Sequence, residues 1–360
     1  TNVIAFESSQ AKFKRFMKDT SPYEVDRRRV LVLAWPIILS NLSTPLLGLV
    51  DTAVIGNQGN AALIGAVAIG AMIFSFLFWG FGFLRMGTTG LIAQARGSND
   101  EKEVKATLYR SLIIAGLIGA ILITIKVPIQ MLAFQLTDGS HAVESAAKAY
   151  FDVRIWAAPA SLIHMVALGY LLAQQRTTAI LWLQLLLNGT NIALDILFVI
   201  VMQWGVIGVA AATAIAELVA AIAGVFLVYR HIKAFYNNTA ISLSTVFALD
   251  ALRRTFAVNR DIMIRTLTLI FALAWFTNEG AQRGDVLLAC NAILMQFVSF
   301  SAFFLDGYAL AAESLTGQAV GKKEPRLLDQ TLHHISEIGL ATATLLSVVI
   351  FLLGPSCIDL

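Results

Sequence analysis

About nine apolar stretches follow one another along this chain, most of them close to the length that crosses a bilayer. They lie near residues 30–56, 62–86, 107–127, 150–173, 178–202, 205–229, 262–282, 286–311 and 335–354. A helix needs roughly 20 apolar residues to span the hydrocarbon core. Composition agrees: 58% of the 360 residues are hydrophobic and 14% are charged, where soluble domains carry about 25% charged residues. A membrane β-barrel would instead read as short segments of alternating polarity, and the chain has none. The expected fold is an all-α integral membrane protein of about nine transmembrane helices.

The net charge of +3 matters less than its distribution. Lys and Arg gather before the first span (Lys12, Lys14, Arg15, Lys18, Arg27, Arg28, Arg29). They recur after the second (Arg96, Lys102, Lys105), the sixth (Arg230, Lys233, Arg253, Arg254, Arg260) and the eighth (Lys322, Lys323, Arg326). The opposite connections, NQGN (57–60) and MQWG (202–205), are short and uncharged. Basic loops stay on the cytoplasmic side, so the N-terminus is expected there. Residues 1–29 are polar and basic without the apolar core of a signal peptide; Phe13, Phe16 and Met17 among lysines fit a short interfacial helix or a solvated tail. Cys290 and Cys357 are too few for a disulfide framework or metal site. The sequon at Asn237-Asn238-Thr239 falls in a cytoplasmic loop and reads as chance.

An internal repeat organises the spans. GLIAQARGSNDEKEV (90–104) closes the second span and ESLTGQAVGKKEPRLL (313–328) the eighth, each with Gln-Ala-x-Gly running into a charged loop. Upstream, GNAALIGAVAIGAMIFSF (59–76) parallels GDVLLACNAILMQFVSF (284–300). The repeat length, from Gln94 to Gln318, is about 224 residues and holds six spans. Transporters are commonly two such bundles around a central site. The expected organisation is a basic tail (1–29), a six-helix lobe (30–230), a cytoplasmic linker (231–260) and the first half of a second lobe (261–360), with a genuine nine-span protein as the alternative.

Acids interrupt the apolar runs at helical spacing. Asn41, Thr44, Gly48 and Asp51 share a face of the first span, and Gln184, Asn188, Asn191 and Asp195 share one in the fifth. Thr213 and Glu217 make a shorter pair in the sixth. A carboxylate at the centre of a membrane helix costs about 2.5–3.5 kcal/mol on insertion scales, so the stripes must face one another or a wet cavity. Packing glue is the competing reading, although Asn and Thr would serve that purpose without a charge. Pro36 and Pro45 remove backbone hydrogen bonds from the first helix, which is expected to carry two weak points near Asp51. Such a helix could bend when Asp51 changes its charge, or could hold a static kink. H⁺ could be exchanged by these acids, and Na⁺ could use the same oxygens.

Other residues read more plainly. His164 and Trp156 are expected to pack, since no metal-ligand partner stands at helical spacing. FSFLFWGFGF (74–83) suits lipid contact or an aromatic cavity wall. Glu217, Glu313 and Asp306 divide evenly between function and an interfacial position, and Arg85 and Arg154 between snorkelling and pairing with acids. No phosphate loop or nucleophile constellation is present, so neither enzymatic chemistry nor a cofactor is expected and the driving force must be a gradient.

LAWPIILSNLSTPLLGLVDTAVIG (33–56), FLRMGTTGLIAQARG (83–97) and VNRDIMIR (258–265) resemble the MATE multidrug exporters, and within them the DinF-like bacterial branch, over about Arg27 to Gly354. The resemblance implies twelve spans in two six-helix lobes, of which the last three would be missing here. It also implies export of lipophilic, often cationic compounds in exchange for H⁺ or Na⁺ by a monomer in the bacterial inner membrane, with membrane lipids and no nucleic acid as partners. Asp51, Asn191 and Asp195 fall on the branch's cavity positions, joined by Thr213 and Tyr150; Asn188 and Glu217 complete the candidate set. A flippase for anionic lipid-linked sugars, which would want basic residues in the cavity, and a non-transporting fragment are the rival readings.

Overall fold

The computed structural model describes residues 26–56, 61–135, 140–236 and 239–358. The tail with Phe13, Phe16 and Met17, the NQGN connection and the first two residues of the sequon lie outside them, as does the side chain of Cys357; Cys290 is exposed. The described residues form α1 (Arg27–Gly56), α2 (Ala61–Gly80), α3 (Phe83–Gly97), α4 (Glu101–Thr124), α5 (Lys126–Gln135), α6 (His141–Arg154), α7 (Ala158–Ala173), α8 (Thr177–Asp195), α9 (Gly205–Phe235), α10 (Leu243–Val246), α11 (Leu249–Gln282), α12 (Asp285–Lys322) and α13 (Pro325–Ile358). Each expected span falls mostly on helix, and among the described residues seven helical segments are long and apolar enough to cross a membrane.

Helices outrun their apolar stretches because backbone hydrogen bonding continues into the polar ends, where caps take over. Asp100 accepts from the Glu103 amide at 3.0 Å and starts α4 six residues before its expected span, with Glu101 and Glu103 favourably placed at the positive end of the helix dipole. The fourth expected span is two helices joined by a 3₁₀ turn, Ile155–Ala157. Pro159 opens α7; its missing N–H leaves the Ile155 carbonyl without its α-helical donor, which is where the tighter turn sits. A π-helical segment, Ile196–Val201, follows Asp195 directly.

α1 runs unbroken through Pro36 and Pro45. Side chains supply extra donors to carbonyls near the Pro45 gap. Ser43 Oγ donates to the Ser40 carbonyl at 2.7 Å and Asn188 Nδ2 to the Ser43 carbonyl at 3.1 Å, so the turn before Pro45 is tied to α8. α1 also divides its packing. Val30, Leu33, Ala34 and Ile38 pack with Tyr308, Ala311 and Leu315 of α12, where Gly307 lets Ile38 approach the backbone. Ile37, Val54 and Ile55 join the main core with Phe74, Tyr150 and Leu162.

Between α9 and α11 the chain is pinned to the start of α4. Arg110 is 2% exposed; its Nε donates to the Val246 carbonyl at 3.0 Å and its Nη1 lies 3.2 Å from Glu103 Oε1. Lys105 Nζ donates to the Thr239 carbonyl at 2.7 Å. Removing Arg110 leaves buried acceptors unpaired, at about 1–3 kcal/mol. Arg110→Ala is therefore expected to melt at lower temperature and to be nicked faster by protease between 236 and 248, whereas Arg253→Ala, on the exposed side of α11, should match wild type.

Candidate ion-coupling site

The polar stripe of α8 meets α1 along its length. Gln184 Nε2 donates to Asn188 Oδ1 at 2.9 Å, and Asn188 holds the Ser43 carbonyl. One turn further, Asp195 and Asn191 are wholly buried and Asp51 is 8% exposed. The two carboxyl groups face the same end of the Asn191 side chain. Asn191 joins them: with its amide turned so that the nitrogen faces the acids, that nitrogen is 3.2 Å from Asp51 Oδ1 and 2.9 Å from Asp195 Oδ2, and the oxygen is 3.2 Å from Thr213 Oγ1 of α9. An amide carries two N–H donors and a carbonyl acceptor, so one side chain serves both acids and the hydroxyl. Asp195 Oδ1 remains buried without a hydrogen-bond partner among the described residues.

A second cluster adjoins the first. Arg154 Nη2 lies 3.2 Å from Glu217 Oε1, with the two side chains 14% and 12% exposed. Glu217 Oε2 accepts from Ser161 Oγ. Arg154 Nη1 donates to the Tyr150 hydroxyl at 2.7 Å, and its guanidinium lies 4.9 Å from the Phe74 ring centroid. Tyr150 packs against the α2 backbone at Gly70, where any side chain would overlap its ring.

Asp51, Asn191, Asp195 and Thr213 therefore meet in one network, with Asn188 one turn away, and Tyr150 and Glu217 gather around Arg154. The stripe expected on α1 divides instead. Asn41 donates to the Phe303 carbonyl of α12 at 3.3 Å, Gly48 is exposed, and the side chain of Thr44 lies outside those described. Ten residues of α-helix rotate Asn41 well away from Asp51, a drift that the local i, i+3, i+4 count hides. Arg154 and Ser161 belong to the site although sequence reasoning left the first undecided and missed the second. An arginine inside an apolar span was the available signal; Ser161 gave none. Asp306 and Glu313 stand apart on α12 in the field of Arg85. His164 is buried, as a packing residue would be, while Trp156 is largely exposed and turns its ring toward Lys126, 5.7 Å away.

Long apolar helices enclosing acids that share hydrogen bonds describe a membrane carrier rather than a soluble protein. The comparisons agree. A family model described as MatE matches residues 36–197 and 262–360. DNA damage-inducible protein F of Escherichia coli is 40% identical over 329 residues, covering 91% of this chain and 71% of the relative. A probable multidrug resistance protein NorM of Acinetobacter baylyi is 23% identical, covering 91% and 72%. Among solved structures, a MATE in complex with MaL6 superposes with a TM-score of 0.82 at 19% identity, over 94% of this chain and 76% of that one. The chain belongs to the MatE family of membrane transporters.

Breaking a buried ion pair from one side costs about 3–5 kcal/mol because the partner's charge is stranded. Arg154→Met should therefore lower the melting temperature of detergent-solubilised protein sharply, and Arg154→Met combined with Glu217→Gln should recover much of the loss. Equal melting of the single and double variants would show that the pair carries no such coupling.

Proposed function

We propose that this transporter exports lipophilic, cationic small molecules in exchange for protons, working as a monomer in a bacterial inner membrane with its N-terminus in the cytoplasm. The carrying observation is the charge balance of the two clusters. Asp51, Asp195 and Glu217 are three acids, and the arginine beside them, Arg154, is engaged by Glu217. Two facing carboxylates in a low-dielectric site repel strongly. The pair thus favours holding positive charge, either as a proton or as the cation it exports, and mutual exclusion of the two is what exchange requires. The same arrangement weighs against anionic lipid-linked cargo, because the basic group such cargo would seek is already paired. The names of the relatives support drug export, and the alternation of basic loops supports the orientation.

α1 is suited to turn this exchange into movement. Its first half packs on α12, its second half carries Asp51 to α8, and Pro45 lies between them. A change of charge at Asp51 alters the bonds holding the second half, and Pro45 leaves the intervening turn one backbone hydrogen bond short.

Proteoliposomes loaded with ethidium and given imposed pH or Na⁺ gradients test the proposal. Wild type should move dye when the pH gradient is imposed. Asp51→Asn and Asp195→Asn should each lose more than about tenfold in rate, equivalent to about 1.4 kcal/mol. Transport driven by Na⁺ alone would replace the ion and keep the site. Normal transport by both variants would make the acids structural contacts and sink the proposal.

A further inference from the structure

The Gln-Ala-x-Gly repeat closes against itself. Ala93 and Gly97 on α3 correspond by the 224-residue repeat to Gly317 and Gly321 on α12. A Cβ placed on Gly317 would lie 2.7 Å from Ala93 Cβ. At Gly97 it would overlap the Gln318 carbonyl, and at Gly321 the Gln94 carbonyl. Each copy thus presents a glycine to the other copy's glutamine backbone, while Ala93 and Gly317 meet at the centre. This is the reciprocity of a two-fold interface, built inside one chain with the small-xxx-small spacing that lets membrane helices touch backbone to backbone.

Polar bonds close the same ring. Arg96 Nη1 and Gln318 Nε2 both donate to the Ala173 carbonyl at the end of α7, each at 3.2 Å. Arg254 Nη2 of α11 donates to Gln94 Oε1 at 2.6 Å. Both α3 and α12 continue from this contact into the basic loops. The contact joins the segments on either side of the 231–260 connection, so it lies where two halves of a transporter must part for its interior to meet the side bearing those loops.

We infer that the paired Gln-Ala-x-Gly segments are the gate on that side, closed in this structure, and that the glycines set how tightly it shuts. Gate opening separates α3 from α12 and breaks the Gln318–Ala173 and Arg254–Gln94 bonds, while Arg96 stays bound to Ala173 within α3 and α7. A single methyl at Gly97 or Gly321 meets backbone rather than a yielding side chain, so it holds the helices apart. The inference rests on the transporter reading for its purpose, but the closed contact can be tested without transport.

Spin labels at Ser98→Cys and Lys322→Cys, in a background with Cys290→Ala and Cys357→Ala, report the separation of the two segments in nanodiscs. Gly97→Ala and Gly321→Ala should shift the distance distribution outward by several ångströms, and Gly90→Ala and Gly339→Ala, whose added methyls meet open space, should not. An unchanged distribution in folded Gly97→Ala and Gly321→Ala protein would overturn the inference. If those variants do not fold, a reducible bismaleimide joining the same two cysteines with all glycines intact decides: ethidium transport should stop on cross-linking and return on reduction. Undiminished transport by fully cross-linked protein would refute the gate. Failure of the uncross-linked protein to move ethidium at all would instead count against the exchange proposal, leaving the distance measurement to judge the contact.

Discussion

The constraint that shapes this molecule is the cost of holding carboxylates inside a membrane. Asp51 and Asp195 come from helices separated by more than a hundred residues, and neither could lie alone at that depth. One amide joins them. Asn191 directs its nitrogen at the two acids and its oxygen accepts from Thr213, which ties α8 to α1 and α9. Once those three are set, Asn188 falls opposite the Ser43 carbonyl, and Glu217 on α9 is carried to Arg154. The apolar packing around these contacts fills space; the polar contacts choose the register. Because small residues and shared hydrogen bonds, rather than a hydrophobic drive, hold helices together in lipid, losing one of these groups should disturb geometry more than bulk.

Much of the fold was legible because the bilayer imposes a simple code. Runs of about 20 apolar residues mark spans whatever the packing, so each expected stretch lies mostly on helix. The ends were less legible. Caps such as Asp100 and backbone defects such as the turn before Pro159 depend on a few local bonds that hydropathy averages away. The prolines of α1 show the same limit from the other side: a missing N–H is visible in sequence, but the Asn188 side chain that bonds the neighbouring turn comes from 145 positions away.

The site was legible where an acid stood in an apolar run, and less so where the group is ordinary elsewhere. Asp51, Asp195, Asn191 and Thr213 could be named from spacing and resemblance, and they do meet. Spacing misled for Asn41, since three short steps of three and four residues accumulate a rotation that sends it to α12. Arg154 was visible as a charge but not as a partner, because pairing depends on the rotation of α6 against α9. The π-helical segment after Asp195 left no readable mark, although such segments recur near functional sites.

The acid pair and the glycine contact are linked by one helix. α1 carries Asp51 in its second half, and its first half packs on the stretch of α12 that leads, two turns later, to Gly317 and Gly321. A bend at Pro45 could therefore change the position of Asp51 relative to α8, the seat of α1 on α12, or both. Coupling requires an element with two arrangements that both sites bias; α1 carries Asp51 and packs on α12, the helix that bears Gly317 and Gly321, and α7 reaches Glu217 through Ser161 and Gln318 through the Ala173 carbonyl. The division of its packing, half toward α12 and half toward α8, is what a rigid connector would not need. In the proposed exchange, neutralising the acid pair would loosen the second half of α1 from α8, and a shift of its first half would act on α12, the helix that carries the glycine contact.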